Sequence, residues 1–210
     1  NKLLLFMRAC AKAAEEEKRG MAEPIILASQ SPRRRELMAL YGIPFVVEPP
    51  MADEAGAAGL GAQRVKALAE LKCAEVAKRR PGRMVLAADT LVCVDGEVLG
   101  KPKDEADAVR MLTLLSGRAH EVHTGVCLHC PDGRELCGVD TTRVYFMPMG
   151  QEMIRRYVAT GEPMDKAGAY GIQGRGALFV AHLDGDYFNV MGLPLCRLGQ
   201  LLNELGVELL

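Results

Sequence analysis

Three consecutive arginines follow two serines early in the chain, in the segment SQSPRRRE. Ser31 is a favourable N-cap residue and Pro32 fits the first helical position, so Arg33 falls in the first turn of a predicted helix. A helix N-terminus is already partly positive and favours acidic side chains. Free backbone N–H groups, the hydroxyls of Ser29 and Ser31 and guanidinium groups would together bind a phosphate. The alternative is a solvated basic turn.

An acidic residue interrupts the apolar segment VLAADTLVCV. Strand alternation places Asp89 on the same face as Val85 and Ala87, where a carboxylate is costly unless it is paired, hydrogen-bonded or bound to a metal ion. A structural aspartate bonded to the backbone is the alternative. The neighbouring Thr90 needs no functional explanation, because threonine is a good strand former.

Three lysines stand at positions with weaker signals. Lys72 lies four residues after Leu68 and four before Val76, on the helix stripe that should face the core. Its aliphatic stem could instead let the ammonium group reach solvent. Lys101 in Gly-Lys-Pro and Lys166 in Asp-Lys-Ala-Gly are further candidate cations. None of the three identifies a site by itself.

Motifs of several other chemistries are absent or incomplete. The glycines around Lys101 do not form a Walker loop, and those between residues 171 and 176 miss the dinucleotide-binding spacing. A serine hydrolase would need a Gly-x-Ser-x-Gly elbow, which the sequence lacks. Cys127, His129 and Cys130 suggest zinc, but no second cysteine pair accompanies them at knuckle spacing, so a zinc site is disfavoured.

The composition excludes further classes of protein. The 210 residues carry 26 Lys plus Arg and 27 Asp plus Glu, for a net charge of −1, whereas a domain that coats nucleic acid is strongly basic. No apolar stretch approaches the ~20 residues of a membrane helix, and no signal peptide is predicted. The seven cysteines do not form the even framework of a small secreted protein, which favours a reducing cytoplasm.

The pattern of apolar and turn residues predicts a mixed α/β protein with long antiparallel hairpins. Residues 1–22 are interpreted as an N-terminal extension, helical or frayed, and residues 23–210 as a single domain. A glycine-rich loop is expected at 168–176, and the apolar segments 178–183 and 188–191 flank a turn. Strands are predicted at 24–28, at 84–94, where the polar pair Asp89-Thr90 interrupts the apolar residues, at 97–99 and twice within 121–146. Helices are predicted at 32–42, 62–80, 104–116, 151–159 and 195–205.

Together these features resemble the Maf family of nucleoside triphosphate pyrophosphatases. The similarity runs from about Pro24 to Leu205, and the family's short motifs occur in order. They are Ser29-Gln30-Ser31-Pro32-Arg33-Arg34, Asp53-Glu54, Lys72, Ala88-Asp89-Thr90, Gly100-Lys101-Pro102, Leu115-Ser116-Gly117, Thr124-Gly125, Glu162-Pro163, the segment from Asp165 to Gly174, and Gly192-Leu193-Pro194.

The resemblance implies an elongated mixed-sheet α/β fold, similar to that of inosine triphosphate pyrophosphatases, with two lobes and a central cleft. It also implies hydrolysis of a nucleoside triphosphate to monophosphate and pyrophosphate with a divalent metal cation, Mg²⁺ or Mn²⁺. Asp89 would be the catalytic base, and Glu54 and Asp89 would hold the metal ion. Arg33, Lys72 and Lys101 would neutralise the triphosphate.

Three positions separate two branches of this family. Arg34, Thr90 and Gln173 match the branch that resembles dTTP/UTP pyrophosphatases, whereas the branch acting on 7-methyl-GTP has Gln after the catalytic Asp and Glu in place of Gln173. An amide offers a donor and an acceptor, which suits O4 and N3–H of uracil or thymine. The resemblance therefore favours a pyrimidine triphosphate, canonical or modified. The expected substrate-binding set is completed by Ser29, Ser31 and Lys166.

Two alternatives stay open. One is a 7-methyl-GTP pyrophosphatase, and the other is a nucleotide-binding regulator of cell division, since members of this family have been linked to inhibition of septum formation. The expected partner is a small-molecule nucleoside triphosphate, with no nucleic acid and no membrane. A homodimer is left open.

Overall fold

The structure is a computed structural model that describes residues 23–54 and 59–207. The predicted extension at 1–22 lies outside the described residues. Among the described residues, the structure contains no helix with the length and hydrophobicity of a membrane span. The elements are β1 (Ile25–Ala28), α1 (Pro32–Ala39), β2 (Phe45–Val47), α2 (Gly61–Arg79), β3 (Val85–Val94), β4 (Glu97–Leu99), α3 (Glu105–Leu115), β5 (Ala119–His129), β6 (Glu135–Phe146), α4 (Gln151–Val158), β7 (Val180–Asp184), α5 (Tyr187–Met191) and α6 (Leu195–Glu204).

The strands form one mixed sheet in the order β2-β1-β3-β5-β6-β7, with β4 beside β3. β1 is parallel to β2 and β3, and the remaining pairs are antiparallel. The predicted α/β class is therefore confirmed, as are the two hairpins. The strand predicted at 84–94 is confirmed as well, because β3 runs without interruption from residue 85 to 94.

Two segments of the chain differ from the sequence pattern. The expected glycine-rich loop at 168–176 overlaps two short 3₁₀ helices, Ala167–Ala169 and Arg175–Phe179, and a third precedes it at Glu162–Asp165. The apolar segment at 188–191 belongs to α5, whose N-cap Asp186 accepts a hydrogen bond from the N–H of Phe188 at 2.8 Å. A side-chain cap of this kind stabilises even a very short helix start.

One edge of β3 changes partner along its length. Residues 85–87 pair with β1 and residues 92–94 with β4, while β5 pairs with the opposite edge from residue 85 to 93. Among the described residues, 88–91 therefore have no partner strand on the β1 side. The chain leaving β1 turns into α1 at this gap. Asp89 and Thr90 lie where the sheet edge is open.

Helices cover both faces of the sheet. α2 packs on one face, where Ala69 and Cys73 join a core cluster with Val85 and Ala87. The other face carries two further clusters, one around α1 and α6 and the other around α3 and α4. Because side chains alternate along a strand, Asp89 lies on the face of α2 and the next residue on the opposite face.

Cys127 in β5 and Cys137 in β6 are direct cross-strand partners and form a disulfide, with Cα atoms 4.1 Å apart. No spacing or motif in the sequence indicates this pairing. Because the Cys127 sulfur is bonded to Cys137, it has no thiolate to offer a zinc ion.

Gly125 lets α2 approach the sheet closely. It pairs directly with Asp89 across β5 and β3, and a Cβ atom at this position would lie 2.3 Å from the carbonyl oxygen of Val65 in α2. Only glycine allows a helix backbone to approach a strand this closely. The contact sets the depth at which α2 presents Lys72 to β3.

We expect Gly125→Ala to lower the free energy of unfolding by about 2 kcal/mol, because the added methyl group must push α2 away from the sheet. Urea unfolding followed by circular dichroism measures this loss. The control is Gly150→Ala at the N-cap of α4, where nothing lies within 4 Å of the added Cβ. Alanine is a poorer N-cap residue than glycine, and this change should cost about 1 kcal/mol or less. Equal losses would contradict the importance of the close contact.

His120 is a buried histidine that supports the start of the loop following Tyr170. It is 2% exposed, its Nε2 is hydrogen-bonded to the Tyr170 hydroxyl at 2.9 Å, and its ring meets Phe146 edge-on. Burial lowers the pKa of His120 to about 4, because an imidazolium would lose its hydration. The native histidine is therefore neutral at neutral pH.

Stability should fall as the pH decreases from about 6.5 towards 4, since the unfolded chain binds a proton at His120 that the native state does not bind. We expect the free energy of unfolding to fall less between pH 7 and pH 5 in His120→Gln, whose amide can still bond to Tyr170. Urea unfolding at both pH values measures the difference. The exposed His182, changed to Gln, should retain the wild-type pH dependence; the same behaviour in His120→Gln would refute the prediction.

Candidate active site

A cleft of about 950 Å³ opens at the gap in the edge of β3. Its walls come from the turn before α1, from α2 and from the 3₁₀ segment at 162–179. The fold thus gathers residues that are up to 164 positions apart in the chain, because the lining runs from Ala28 to Gly192. All eleven residues singled out in the sequence line it: Ser29, Ser31, Arg33, Arg34, Glu54, Lys72, Asp89, Thr90, Lys101, Lys166 and Gln173.

The most buried charges of the cleft are Lys72 and Asp89. The ammonium Nζ of Lys72 lies 2.5 Å from Oδ1 of Asp89 and 3.0 Å from Oε1 of Glu54. The side chains of Lys72 and Asp89 are 11% and 12% exposed, whereas that of Glu54 is 53% exposed. The ammonium group of Lys72 therefore does not extend into solvent, which was the alternative for this residue. It binds two carboxylates at the open edge of β3.

Glu54 and Asp89 fit a divalent ion that arrives with a phosphate. Both carboxylates contact the same ammonium group, so their oxygens are no further apart than the sum of the two contact distances. Mg²⁺ is commonly held by one or two carboxylates together with phosphate oxygens and water. Within residues 23–54 and 59–207, no cluster of three or more His, Cys, Asp or Glu side chains could form an all-protein cage. The donor set suits a metal ion shared with a substrate.

A chain of hydrogen bonds, each with a defined donor, crosses the face of the sheet opposite to Asp89 and α2. Nη2 of Arg34 donates to the Thr90 hydroxyl at 3.0 Å, that hydroxyl is 3.0 Å from Oγ1 of Thr124, and Thr124 donates to the carbonyl of Asn189 at 2.9 Å. Since Thr124 has a single hydroxyl hydrogen, Thr90 must be the donor between the two threonines. The chain joins α1, β3, β5 and α5.

The turn between β1 and α1 is held by its own side chains. The Ser29 hydroxyl accepts from the N–H of Ser31 at 3.1 Å and from Nη1 of Arg34 at 3.4 Å. Ser31 accepts from the N–H of Arg34 at 3.4 Å, which confirms the predicted N-cap. Nε of Arg34 donates to the carbonyl of Gly192 at 2.7 Å. Each guanidinium nitrogen of Arg34 thus has a protein acceptor, so Arg34 positions this wall.

Burial lowers the pKa of Arg34, and the nearby negative charge of Asp89 acts in the opposite direction. A guanidinium nonetheless stays protonated at any physiological pH. The positive charge of Arg34, whose side chain is half-buried, lines the same cleft as the carboxylates of Asp89 and Glu54.

Asp165 joins two of the predicted cations across the cleft. Its Oδ2 lies 3.1 Å from Nη1 of Arg33, and its Oδ1 lies 2.6 Å from Nζ of Lys166. Burial alone would raise the pKa of Asp165, but the hydrogen bonds from Lys166 and Arg33 outweigh it and the pKa is lowered. The three side chains connect α1 to the 3₁₀ segment. The exposed Lys101 follows Gly100, whose carbonyl accepts from the N–H of Gly168 at 3.1 Å.

The cleft also contains three charged residues that were not predicted to act in the site, namely Arg64, Glu162 and Asp165. Arg64 precedes Leu68 and Lys72 by four and eight residues on α2, and that spacing could have placed it on the same face. Glu162 and Asp165 lie within family motifs, but their partners are brought to them by the tertiary fold. No local pattern in the sequence indicates those contacts.

Thr90→Val should lower the free energy of unfolding by about 1–3 kcal/mol, because it leaves Arg34 and Thr124 without their shared partner while nearly preserving side-chain shape. Urea unfolding measures the loss. The matched control is Thr113→Val at an exposed threonine on α3, for which a change within about 0.5 kcal/mol is expected. A Thr90→Val protein as stable as this control would show that the chain of hydrogen bonds contributes nothing.

Comparison with known proteins supports the expected family. The "dTTP/UTP pyrophosphatase" of Symbiobacterium thermophilum is 55% identical over 185 residues, covering 88% of this chain and 95% of the relative. The "dTTP/UTP pyrophosphatase" of Moorella thermoacetica is 53% identical over 186 residues, covering 88% and 96%. Among solved structures, a HAM1 protein from Coxiella burnetii aligns with a TM-score of 0.52 at 18% identity, over 86% of this chain and 98% of that one.

The structural match is a likeness of fold, whereas the two relatives share about half of their residues with this chain. The profile of the family described as "Maf-like protein" matches residues 24–205. That range contains the whole sheet, α1 to α6 and every residue of the candidate site. The chain therefore belongs to the family of Maf-like proteins.

Proposed function

We propose that the protein hydrolyses dTTP, UTP and related pyrimidine nucleoside triphosphates to the monophosphate and pyrophosphate, with Mg²⁺ or Mn²⁺. The observation that carries this proposal is the Lys72 ammonium held between Asp89 and Glu54 at the open edge of β3. It combines a buried carboxylate, a second carboxylate for a metal ion and a cation for phosphate. The names of two relatives at 55% and 53% identity support the substrate class.

Asp89 acts as the base in this proposal. Its carboxylate accepts a proton from a water molecule as the water oxygen forms a bond to the α-phosphorus. The anhydride bond between the α and β phosphates breaks, and pyrophosphate leaves. Lys72 pairs with this carboxylate at 2.5 Å and holds it at the open edge of β3.

Charge neutralisation is the second task of the cleft. Transfer of a phosphoryl group depends mainly on positioning and on electrostatic stabilisation of the departing oxygens. Arg33, Lys72, Lys101 and Lys166 line the cleft with positive charge and would contact the triphosphate. Glu54 and Asp89 would hold the divalent ion, which when bound supplies further neutralisation of phosphate charge.

The pyrimidine ring would be read by Gln173. This side chain is exposed within the cleft lining, and its amide can donate to O4 and accept from N3–H of uracil or thymine. Arg34 and Thr90 contribute differently, because they bond to each other and stabilise the wall formed by α1.

The function is tested by measuring pyrophosphate release from dTTP, UTP, CTP and 7-methyl-GTP with Mg²⁺ and with Mn²⁺. We expect dTTP and UTP to be the best substrates. A clear preference for 7-methyl-GTP would defeat the pyrimidine assignment. Nucleotide binding without any pyrophosphate release would favour the alternative of a nucleotide-binding regulator of cell division.

Asp89→Asn should lower kcat for dTTP by about 100-fold or more, because the amide cannot accept the proton of the attacking water. Binding of a non-hydrolysable dTTP analogue, measured by calorimetry, should persist. Asp95→Asn is the matched control, since Asp95 lies in the turn after β3 and is paired with Arg118. Wild-type turnover in Asp89→Asn would exclude Asp89 as the base.

A cytoplasmic location stays a prediction, and a homodimer is the alternative to a monomer. Fractionation of cells and sedimentation of the purified protein, respectively, would test them.

A further inference from the structure

The carboxylate of Glu162 contacts the backbone of a segment more than ten residues further along the chain. Its Oε2 accepts from the N–H of Arg175 at 2.9 Å, and its Oε1 accepts from the N–H of Gly176 at 3.1 Å. The hydroxyl of Tyr157, in α4, donates to the same Oε1 at 2.9 Å. Charged acceptors make stronger hydrogen bonds to N–H groups than neutral acceptors do.

Tyr157 connects Glu162 to Gly171 at the start of the same segment, and we call the hydrogen bonds of Glu162 and Tyr157 to this backbone the tether. Its hydroxyl oxygen accepts from the N–H of Gly171 at 3.2 Å while its hydrogen is donated to Glu162. Residues 171 and 175–176 are therefore fixed to a common pair of side chains. Between them, the N–H of Gly174 bonds to the carbonyl of Gly171 at 3.2 Å, which closes a four-residue turn.

The turn is shaped to lie against the carboxylate. A Cβ on Gly174 would be 2.4 Å from Oε1 of Glu162, and a Cβ on Gly176 would be 2.8 Å from the Tyr157 hydroxyl. Glycine at these positions allows the backbone to approach a group that it must bind. The backbone from Gly171 to Gly176 thus packs directly against the Glu162 carboxylate, with no space for a side chain between them.

Gln173 is the third residue of this turn. Its side chain is exposed, in contrast to the buried Ile172 before it, and it lines the cleft. The turn therefore directs the Gln173 side chain into the cleft. The backbone on either side of Gln173 is fixed by the hydrogen bonds to Glu162 and Tyr157. Precise placement matters because hydrogen-bond recognition of a base loses its discrimination when the donor and acceptor can shift.

Glu162 is ionised at neutral pH in this environment. Burial acts to raise its pKa, but the N–H groups of Arg175 and Gly176, the Tyr157 hydroxyl and the charge of Lys166 outweigh burial, and the pKa is lowered. The carboxylate can therefore accept all three hydrogen bonds at once. Protonation or removal of the charge would leave backbone N–H groups of the turn poorly satisfied.

We propose that Glu162 is the positioning residue for base recognition, because its carboxylate fixes the turn that presents the Gln173 amide to the pyrimidine ring. This inference rests on the proposed function. It assigns Glu162 no contact with the substrate: Glu162 acts through the backbone of residues 171–176.

The test compares Glu162→Gln with the control Glu152→Gln in the full-length protein. Glu152 lies on the surface of α4 and pairs with Arg156. The substrates are dTTP and CTP, because the C4 amino group and bare N3 of cytosine reverse the donor and acceptor of thymine. Amide hydrogen exchange of the ligand-free proteins is measured in parallel.

In Glu162→Gln we expect the preference for dTTP over CTP, as a ratio of kcat/KM values, to fall about tenfold. The change should come from a higher KM for dTTP, with kcat altered less than about threefold. Exchange of the amides at Arg175 and Gly176 should become about tenfold faster. Glu152→Gln should match the wild type in all three measurements.

Each contrary result has a distinct meaning. An unchanged ratio in Glu162→Gln, or equal losses of kcat/KM for dTTP and CTP, would overturn the positioning role and leave the proposed function standing. Unchanged exchange at Arg175 and Gly176 would overturn the tether itself. A wild-type protein that releases no pyrophosphate from any triphosphate would overturn the proposed function, and the recognition role with it.

Discussion

The candidate site depends on one ion pair, between Lys72 of α2 and Asp89 of β3. A lysine and an aspartate this deeply buried would each be costly alone, and their contact at 2.5 Å compensates for much of the lost hydration. The pair can form only because α2 lies directly on the sheet, which Gly125 permits. It can reach the cleft only because β3 lacks a partner strand at residues 88–91 within the described structure.

The parts of the site that could be predicted from the sequence are those where a residue contradicts its local pattern. Asp89 stands in an apolar strand, Lys72 stands on the buried stripe of a helix, and Arg33 stands where a helix prefers an acid. Each contradiction is visible within a few residues, and the fold brings all three to one cleft. Helix and hairpin positions were predictable for the same reason, since caps and turn residues act locally.

The remaining features depend on contacts between distant segments. Arg34 could be identified as a basic residue near the cleft, but its acceptor Gly192 is 158 positions away. The role of Glu162 depends on backbone N–H groups, which carry no sequence signature. The Cys127–Cys137 disulfide depends on the register of β5 and β6. These three contacts are determined by tertiary packing, and the periodicity and spacing of residues in the sequence carry no information about them.

The bridge from Arg33 through Asp165 to Lys166 means that two cations of the cleft already have an anionic partner. A phosphate that takes either cation would exchange one anion for another, so the change in electrostatic energy is smaller than the number of positive charges suggests. Such an exchange favours ligands that offer several phosphate oxygens at once over those that offer few. A polyphosphate chain has enough oxygens to replace both contacts of Asp165 at once, whereas a small anion can replace only one.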